Sequence, residues 1–144
     1  VLEYNVRFGD PETQAVLPRL KTDLVDLCLA ASQGKLGLTN LEWDERPCVC
    51  VVMSSRGYPG AYESGKVIKG LSEADRQKDV VVFHAGTKNQ GEDIVSCGGR
   101  VLGVVGFGED IAKAIQNAYN GAEKISFDGC FFRRDIAAKA LKRC

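Results

Sequence analysis

Apolar and polar residues alternate from Val1 to Arg7, with Leu2, Tyr4 and Val6 on one side and Glu3, Asn5 and Arg7 on the other, which predicts a strand. Phe8-Gly9-Asp10-Pro11-Glu12 breaks the run. Asp10 has the chemistry of a helix N-cap and Pro11 suits a first helical position, so a short helix is expected up to Leu17, before Pro18. Leu24, Leu27, Cys28 and Ala31 then recur at helical spacing and predict a second helix from about Thr22 to Ser32, ended ahead of Gly34. The glycine- and charge-bearing stretch from Gly34 to Pro47 reads as connection and as the seam between the opening segment and the rest.

From Cys48 the pattern becomes β-rich. Strands are expected at Cys48 to Met53, Lys66 to Ile68, Val80 to His84, Asp93 to Cys97 and Arg100 to Val105, with a turn at Gly57 to Gly60 and a brief helix near Ser72 to Arg76. Gly86 to Gly91 is expected as a loop. Short turns between successive strands favour antiparallel pairing. Glu109 and Asp110 open a helix whose Ile111, Ala114, Ile115 and Ala118 form one apolar stripe, with Gly121 placed to stop it. A last strand near Lys124 to Phe127, a turn at Asp128-Gly129 and a short basic helix from Asp135 to Lys142 complete the expected order.

Composition narrows the partners. The 144 residues are 44% apolar, enough for one ordinary hydrophobic core. Nineteen basic residues balance nineteen acidic ones, so no overall field draws the chain to nucleic acid or to an anionic membrane, and small molecules or other subunits are the expected partners. There is neither a signal-peptide pattern nor an apolar run near the roughly 20 residues a membrane crossing requires, and a cytoplasmic setting is expected. The six cysteines form no CxxC pair and have only His84 to join them, so they read as small, reduced hydrophobes rather than zinc ligands. The chain enters directly into strand-like residues without a methionine, and residues upstream of Val1 are expected.

Glu3, Asn5 and Arg7 would present a carboxylate, an amide oxygen and a guanidinium from one strand face. Hard oxygens suit magnesium, which takes one or two protein ligands together with waters and phosphate oxygens. Arg7 could neutralise a phosphate or grip a carboxylate in two parallel hydrogen bonds. On spacing alone, a solvated strand face carrying a charge pair accounts for these residues at least as well. Lys88 and Arg100 lie in two glycine-bearing loops that can bring a cation and free N–H groups to one anion, although exposed surface charges are the alternative. His84, alone on a strand, reads more naturally as a structural hydrogen-bonding group than as a catalyst. Arg133 and Arg134 read as packing residues of the tail, and Gly57-Tyr58-Pro59-Gly60 as architecture.

Leu2-Glu3-Tyr4-Asn5-Val6-Arg7-Phe8-Gly9-Asp10-Pro11-Glu12-Thr13-Gln14 resembles the closing motif of the ATP-grasp core in glycinamide ribonucleotide synthetases, also called phosphoribosylamine–glycine ligases. Residues 52–60, 82–88, 98–102 and 127–136 are similar to further segments of that family, in family order. The resemblance implies an α+β chain in two parts. Residues 1–40 would be the end of an ATP-grasp core with its metal motif, and residues 41–144 a mostly antiparallel, β-rich C-terminal domain flanked by helices that grips the substrate phosphate.

It further implies ligation of glycine to 5-phosphoribosylamine with conversion of ATP to ADP and phosphate, through glycyl phosphate. Glu3 and Asn5 match the magnesium or manganese ligands. Arg7, Gly9 and Asp10 match contacts to glycine and the acyl phosphate, Arg7 and Asp10 being the catalytic candidates. Asp10 stays open between N-cap and a contact to the glycine ammonium group, which are compatible. Lys88, Gly99 and Arg100 fall where related enzymes hold the ribose 5-phosphate.

An adenine pocket, a phosphate-covering loop and a further acidic metal ligand cannot be located in the chain. The missing N-terminal part of the same enzyme is therefore an expected partner, and the chain alone is expected to be inactive. The rival readings are a related purine-pathway ATP-grasp carboxylase or formate-using transferase, and a noncatalytic remnant or binding module. Phe8-Gly9-Asp10-Pro11-Glu12 and Arg133-Arg134-Asp135-Ile136 favour the glycine ligase over the former.

Overall fold

The computed structural model describes residues 4–142. Its centre is a four-stranded antiparallel sheet in the order β2-β5-β1-β6, formed by β1 (Cys48–Ser55), β2 (Val80–His84), β5 (Arg100–Phe107) and β6 (Cys130–Phe131). A separate hairpin pairs β3 (Thr87–Gln90) with β4 (Asp93–Ser96). Four helices complete the described residues: α1 (Thr13–Val16), α2 (Leu24–Ser32), α3 (Leu71–Asp75) and α4 (Ile111–Lys124), with 3-10 turns at Leu17–Arg19 and Leu36–Leu38. The architecture is the expected α+β.

β5 is central because nearly every residue of Val101-Leu102-Gly103-Val104-Val105-Gly106-Phe107 is apolar or glycine, as burial on both faces requires. On one face, Val49, Val51, Met53, Val80 and Val104 meet Ala114, Ala118 and Ala122 of α4. The three alanines are four residues apart and form one row, which lets the helix approach the sheet closely. At Gly106 a side chain would stand 2.1 Å from the backbone nitrogen of Ala118. The helix is capped as its first turn suggests: the Asp110 carboxylate accepts from Lys113 N–H at 2.7 Å.

The opposite face is covered by the opening segment. Cys48 Sγ donates to Ala15 O at 3.0 Å, and a side chain at Gly103 would touch both Cys50 Sγ and Gln14 Cγ. Burial under this cover pushes the Cys50 thiol up to about 12.

Several sequence expectations are corrected. Among the described residues, Tyr4 to Arg7 form no strand: they lie exposed with no neighbouring strand to pair with, and a strand is stable only as part of a ladder. Asp10 does not cap α1. The N-terminal position belongs to Glu12, and Pro11 sits in the preceding turn after a cis peptide bond. Gly86 to Gly91 is not a loop, since residues 87–90 pair along β4. Gly121 does not stop α4. It lies inside the helix, where a side chain would meet Val80 at 2.7 Å and Val104 at 2.9 Å, so it serves close packing.

Residues 124–127 contribute only an isolated bridge between Lys69 and Ser126. The basic tail from Asp135 is a series of turns because Ala137 has a φ of 61°, which interrupts a right-handed helix. Arg133 and Arg134 have the packing role expected of them. Arg133 pairs with Asp135, and Arg134 pairs with Glu123 while standing 4.5 Å over the Phe132 ring, so the tail is fastened to α4.

Candidate functional site

The site residues expected from the sequence fall into three groups. Asn5 and Arg7 form the first: the Arg7 guanidinium donates to Asn5 Oδ1 and also to Phe8 O at 3.1 Å. Both are exposed, and Glu3 lies outside the described residues. Gly9 closes this group. A side chain there would run into Glu12 Oε2 at 2.4 Å and reach Asn5 Nδ2 at 3.3 Å, so the small residue lets the amide and a carboxylate converge. Its carbonyl accepts from Thr13 N–H at 2.9 Å and from Thr13 Oγ1 at 2.5 Å, which anchors the segment to α1.

Asp10 and Arg100 form the second group, although ninety positions separate them. Arg100 Nη2 lies 3.0 Å from Asp10 Oδ2, and Nη1 donates to Asp10 O at 3.1 Å. Gln14 Nε2 donates to the other carboxylate oxygen at 3.0 Å, so Asp10 is held from both sides. Gln14 Oε1 is buried without a partner. The sheet makes the contact possible. Register slips between Met53 and Ser54, so that Met53 faces Leu102 while Ser54 faces Arg100, and the extra residue Val101 forms a bulge. A bulge turns the neighbouring side chain off the regular pleat, here towards the opening segment.

The third group is looser. Gly99 is buried, and a side chain there would stand 2.1 Å from the Tyr58 ring, so Tyr58 roofs the residue before Arg100. Lys88 is exposed on β3 opposite Val95, and its amine has no hydrogen bond or ion pair among the described residues. His84 Nδ1 lies 3.0 Å from Thr87 Oγ1, in keeping with a structural hydrogen-bonding role. His84 also lines a cleft of about 450 Å3 with Gln14, Pro18 and Phe83.

Among the described residues no three His, Cys, Asp or Glu side chains gather to hold a metal ion, and no helix is long and apolar enough to cross a membrane. The donor chemistry at Asn5 nevertheless fits a hard divalent cation: it offers an amide oxygen, with a carboxylate two positions earlier in the sequence. Sequence reasoning did not single out Gln14 or Tyr58. The four-residue step from Asp10 to Gln14 could have signalled the first, while the second depends on a turn packing over a distant glycine.

Comparison with known proteins places the chain in a family. The family model described as "Phosphoribosylglycinamide synthetase, C domain" matches residues 48–139. A phosphoribosylamine–glycine ligase of Synechocystis is 53% identical over 98% of the chain and 34% of its own length, and one of Rhodopirellula baltica is 51% identical over 98% and 32%. The crystal structure of the Thermotoga maritima phosphoribosylamine–glycine ligase superposes with a TM-score of 0.79 at 37% identity, covering 94% of this chain and 32% of that one. The chain thus spans about a third of the length of the curated relatives it matches. On the match of residues 48–139, it belongs to the phosphoribosylglycinamide synthetase family, of which it contains the C domain.

Proposed function

We propose that this chain is the carboxy-terminal third of an ATP-dependent carbon–nitrogen ligase of purine biosynthesis, joining glycine to 5-phosphoribosylamine by way of glycyl phosphate. The observation that carries the reading is the Asp10–Arg100 contact, because it joins the opening motif to the start of β5, which bears the candidate phosphate cation. The names and coverage of the relatives support the same assignment.

In this reading the opening segment serves the acyl donor. Arg7 neutralises charge on the transferring phosphoryl group, and Asp10 orients the glycine ammonium. Glu3 and Asn5 would hold a magnesium or manganese ion, which when bound screens charge on the ATP phosphates. Arg7 now donates to Asn5 Oδ1, so it has to turn away for that oxygen to be shared. Lys88, Gly99 and Arg100 grip the phosphate of 5-phosphoribosylamine. The amine then displaces phosphate from the acyl group to form the amide. Catalysis of this kind rests on positioning and charge neutralisation, with little covalent work for the protein.

Residues 1–40 would belong to the ATP-grasp core and residues 41–144 to the substrate-phosphate domain. In support, the family match starts at Cys48, and the segment before it exposes Val6, Phe8, Val25, Leu29 and Leu38. An apolar surface of this kind suits contact with the upstream two thirds present in the relatives. A cytoplasmic location follows from the reaction class.

The purified 144-residue chain is expected to release no ADP above background with ATP, glycine and 5-phosphoribosylamine, because the adenine-holding part is absent. Turnover at an ordinary enzymatic rate, about 1–1000 per second, would refute the division of labour proposed here.

A further inference from the structure

A cleft that the proposed function does not use lies at the end of β1. It measures about 630 Å3 and is bounded by Arg56, Gly57, Tyr62, Glu63, Lys66 and Asp128 among others. That volume falls in the range of small-molecule sites. Its walls are fixed to the sheet: Ser55 N–H donates to Gly99 O at 2.8 Å, and Arg56 N–H to Gly129 O at 2.7 Å. The loop is also folded on itself, since Gly57 has a φ of 98° and a side chain there would stand 2.1 Å from Ala61 O.

Two cations line this cleft, and they are not equivalent. Lys66 Nζ is held by Glu63 Oε2 at 2.7 Å and Asp128 Oδ2 at 3.1 Å, an arrangement that raises the affinity of its amine for the proton. Arg56 carries a guanidinium with no acceptor among the described residues. The backbone N–H groups of Gly57, Tyr62 and Glu63 likewise find no acceptor among the described residues. One unpaired cation beside several free N–H donors is the arrangement that binds an oxyanion.

Lys66 offsets one of the two carboxylate charges and Arg56 the other, so the cleft is neutral overall and its anion-binding capacity rests on the placement of Arg56. Each carboxylate retains one unengaged oxygen, Glu63 Oε1 and Asp128 Oδ1, able to accept from hydroxyl groups. The Tyr62 ring, 43% exposed, supplies an apolar flank.

We propose that this cleft is a second binding site, for a phosphomonoester of a polyhydroxylated sugar. The phosphate sits on Arg56 and the neighbouring N–H groups, and the sugar hydroxyls donate to Glu63 and Asp128. The site has its own cation and adjoins the start of β5, where Tyr58 covers Gly99 beside Arg100. It stands whether or not Arg100 grips a substrate phosphate.

The test is a titration of the 15N-labelled 144-residue chain with ribose 5-phosphate, followed by amide shifts, with ribose and inorganic phosphate as controls. Saturable shifts at Gly57, Tyr62 and Glu63 are expected with a Kd on the order of 1 mM. Arg56→Ala weakens binding about tenfold while Arg100→Ala leaves these shifts in place. Glu63→Gln weakens ribose 5-phosphate but not inorganic phosphate. The spectrum reports folding of each variant, and Arg56→Lys, which keeps the charge, retains part of the affinity. Absence of saturable shifts, shifts confined to Lys88, Gly99 and Arg100, or shifts unaltered by Arg56→Ala would each overturn the proposal.

Discussion

Gly106→Ala tests how the fold is held together. Gly106 stands in β5 between Val49 of β1 and Val80 of β2, directly beneath α4. An added methyl group would lie 2.1 Å from Ala118 N, 2.7 Å from Ala114 O and 2.7 Å from Ala118 Cα. All three are helix backbone atoms and cannot rotate away, so α4 would have to lift by about 1 Å to restore ordinary contact. Overpacking of this kind costs about 1–3 kcal/mol or more, against about 0.5–1 kcal/mol regained because alanine favours a strand over glycine. The net expectation is a loss of about 1–2 kcal/mol, which lowers Tm by roughly 3–8 °C in a domain of this size. Urea unfolding followed by circular dichroism measures it. Gly91→Ala is the control: it sits at a φ of 65° with no atom within 4 Å, and should cost only about 1 kcal/mol from backbone strain. A Gly106→Ala variant as stable as the parent would mean that α4 does not rest on β5 as described.

Two further changes probe how the rest of the fold is fastened. Tyr119 Oη donates to Arg133 O at 2.8 Å and accepts from Ile136 N–H at 3.0 Å, so Tyr119→Phe should cost about 1–2 kcal/mol and speed amide exchange at Ile136. Unchanged exchange there would remove Tyr119 as the fastening of the tail. Hydrogen bonds from the Arg46 side chain and backbone hold the Asp44 carboxyl at about 2, below its ordinary value. A depressed folded value means that the unfolded chain takes up the proton first, so this contribution is whole above about pH 4 and fades as pH falls towards 2. Asp44→Asn should flatten stability over that interval, and an unaltered acid limb of the stability curve would contradict the pairing.

Much of the fold was legible because it depends on local pattern. Val80 to His84 is a strand with the bounds that its β-branched run suggests, and Asp110 opens α4 as its chemistry indicates. Elsewhere tertiary contact overrode the local signal. Thr87-Lys88-Asn89-Gln90 carries no apolar alternation and becomes a strand only because β4 lies beside it. Gly121 looks like a helix stop from the sequence, yet its want of a side chain is used against Val80 and Val104.

The candidate site shows the same division. The residue types of the opening motif could be read directly, whereas the meeting of Asp10 with Arg100 depends on a bulge at Val101 and a pairing across ninety positions. Asp10 was also misplaced as a helix cap, because the guanidinium and the Gln14 amide that claim its carboxylate are supplied by folding.

The central claim is that Arg100, drawn to the opening motif by Asp10, serves the phosphate of the amine substrate. It is tested most directly in a chimera in which this chain replaces the matching third of the Synechocystis ligase, by measuring ADP release as a function of each substrate. Arg100→Ala should raise the KM for 5-phosphoribosylamine about tenfold or more and leave the KM for ATP within about twofold, as expected when one charge-assisted phosphate contact is lost. Equal kinetics for 5-phosphoribosylamine in parent and variant would contradict it.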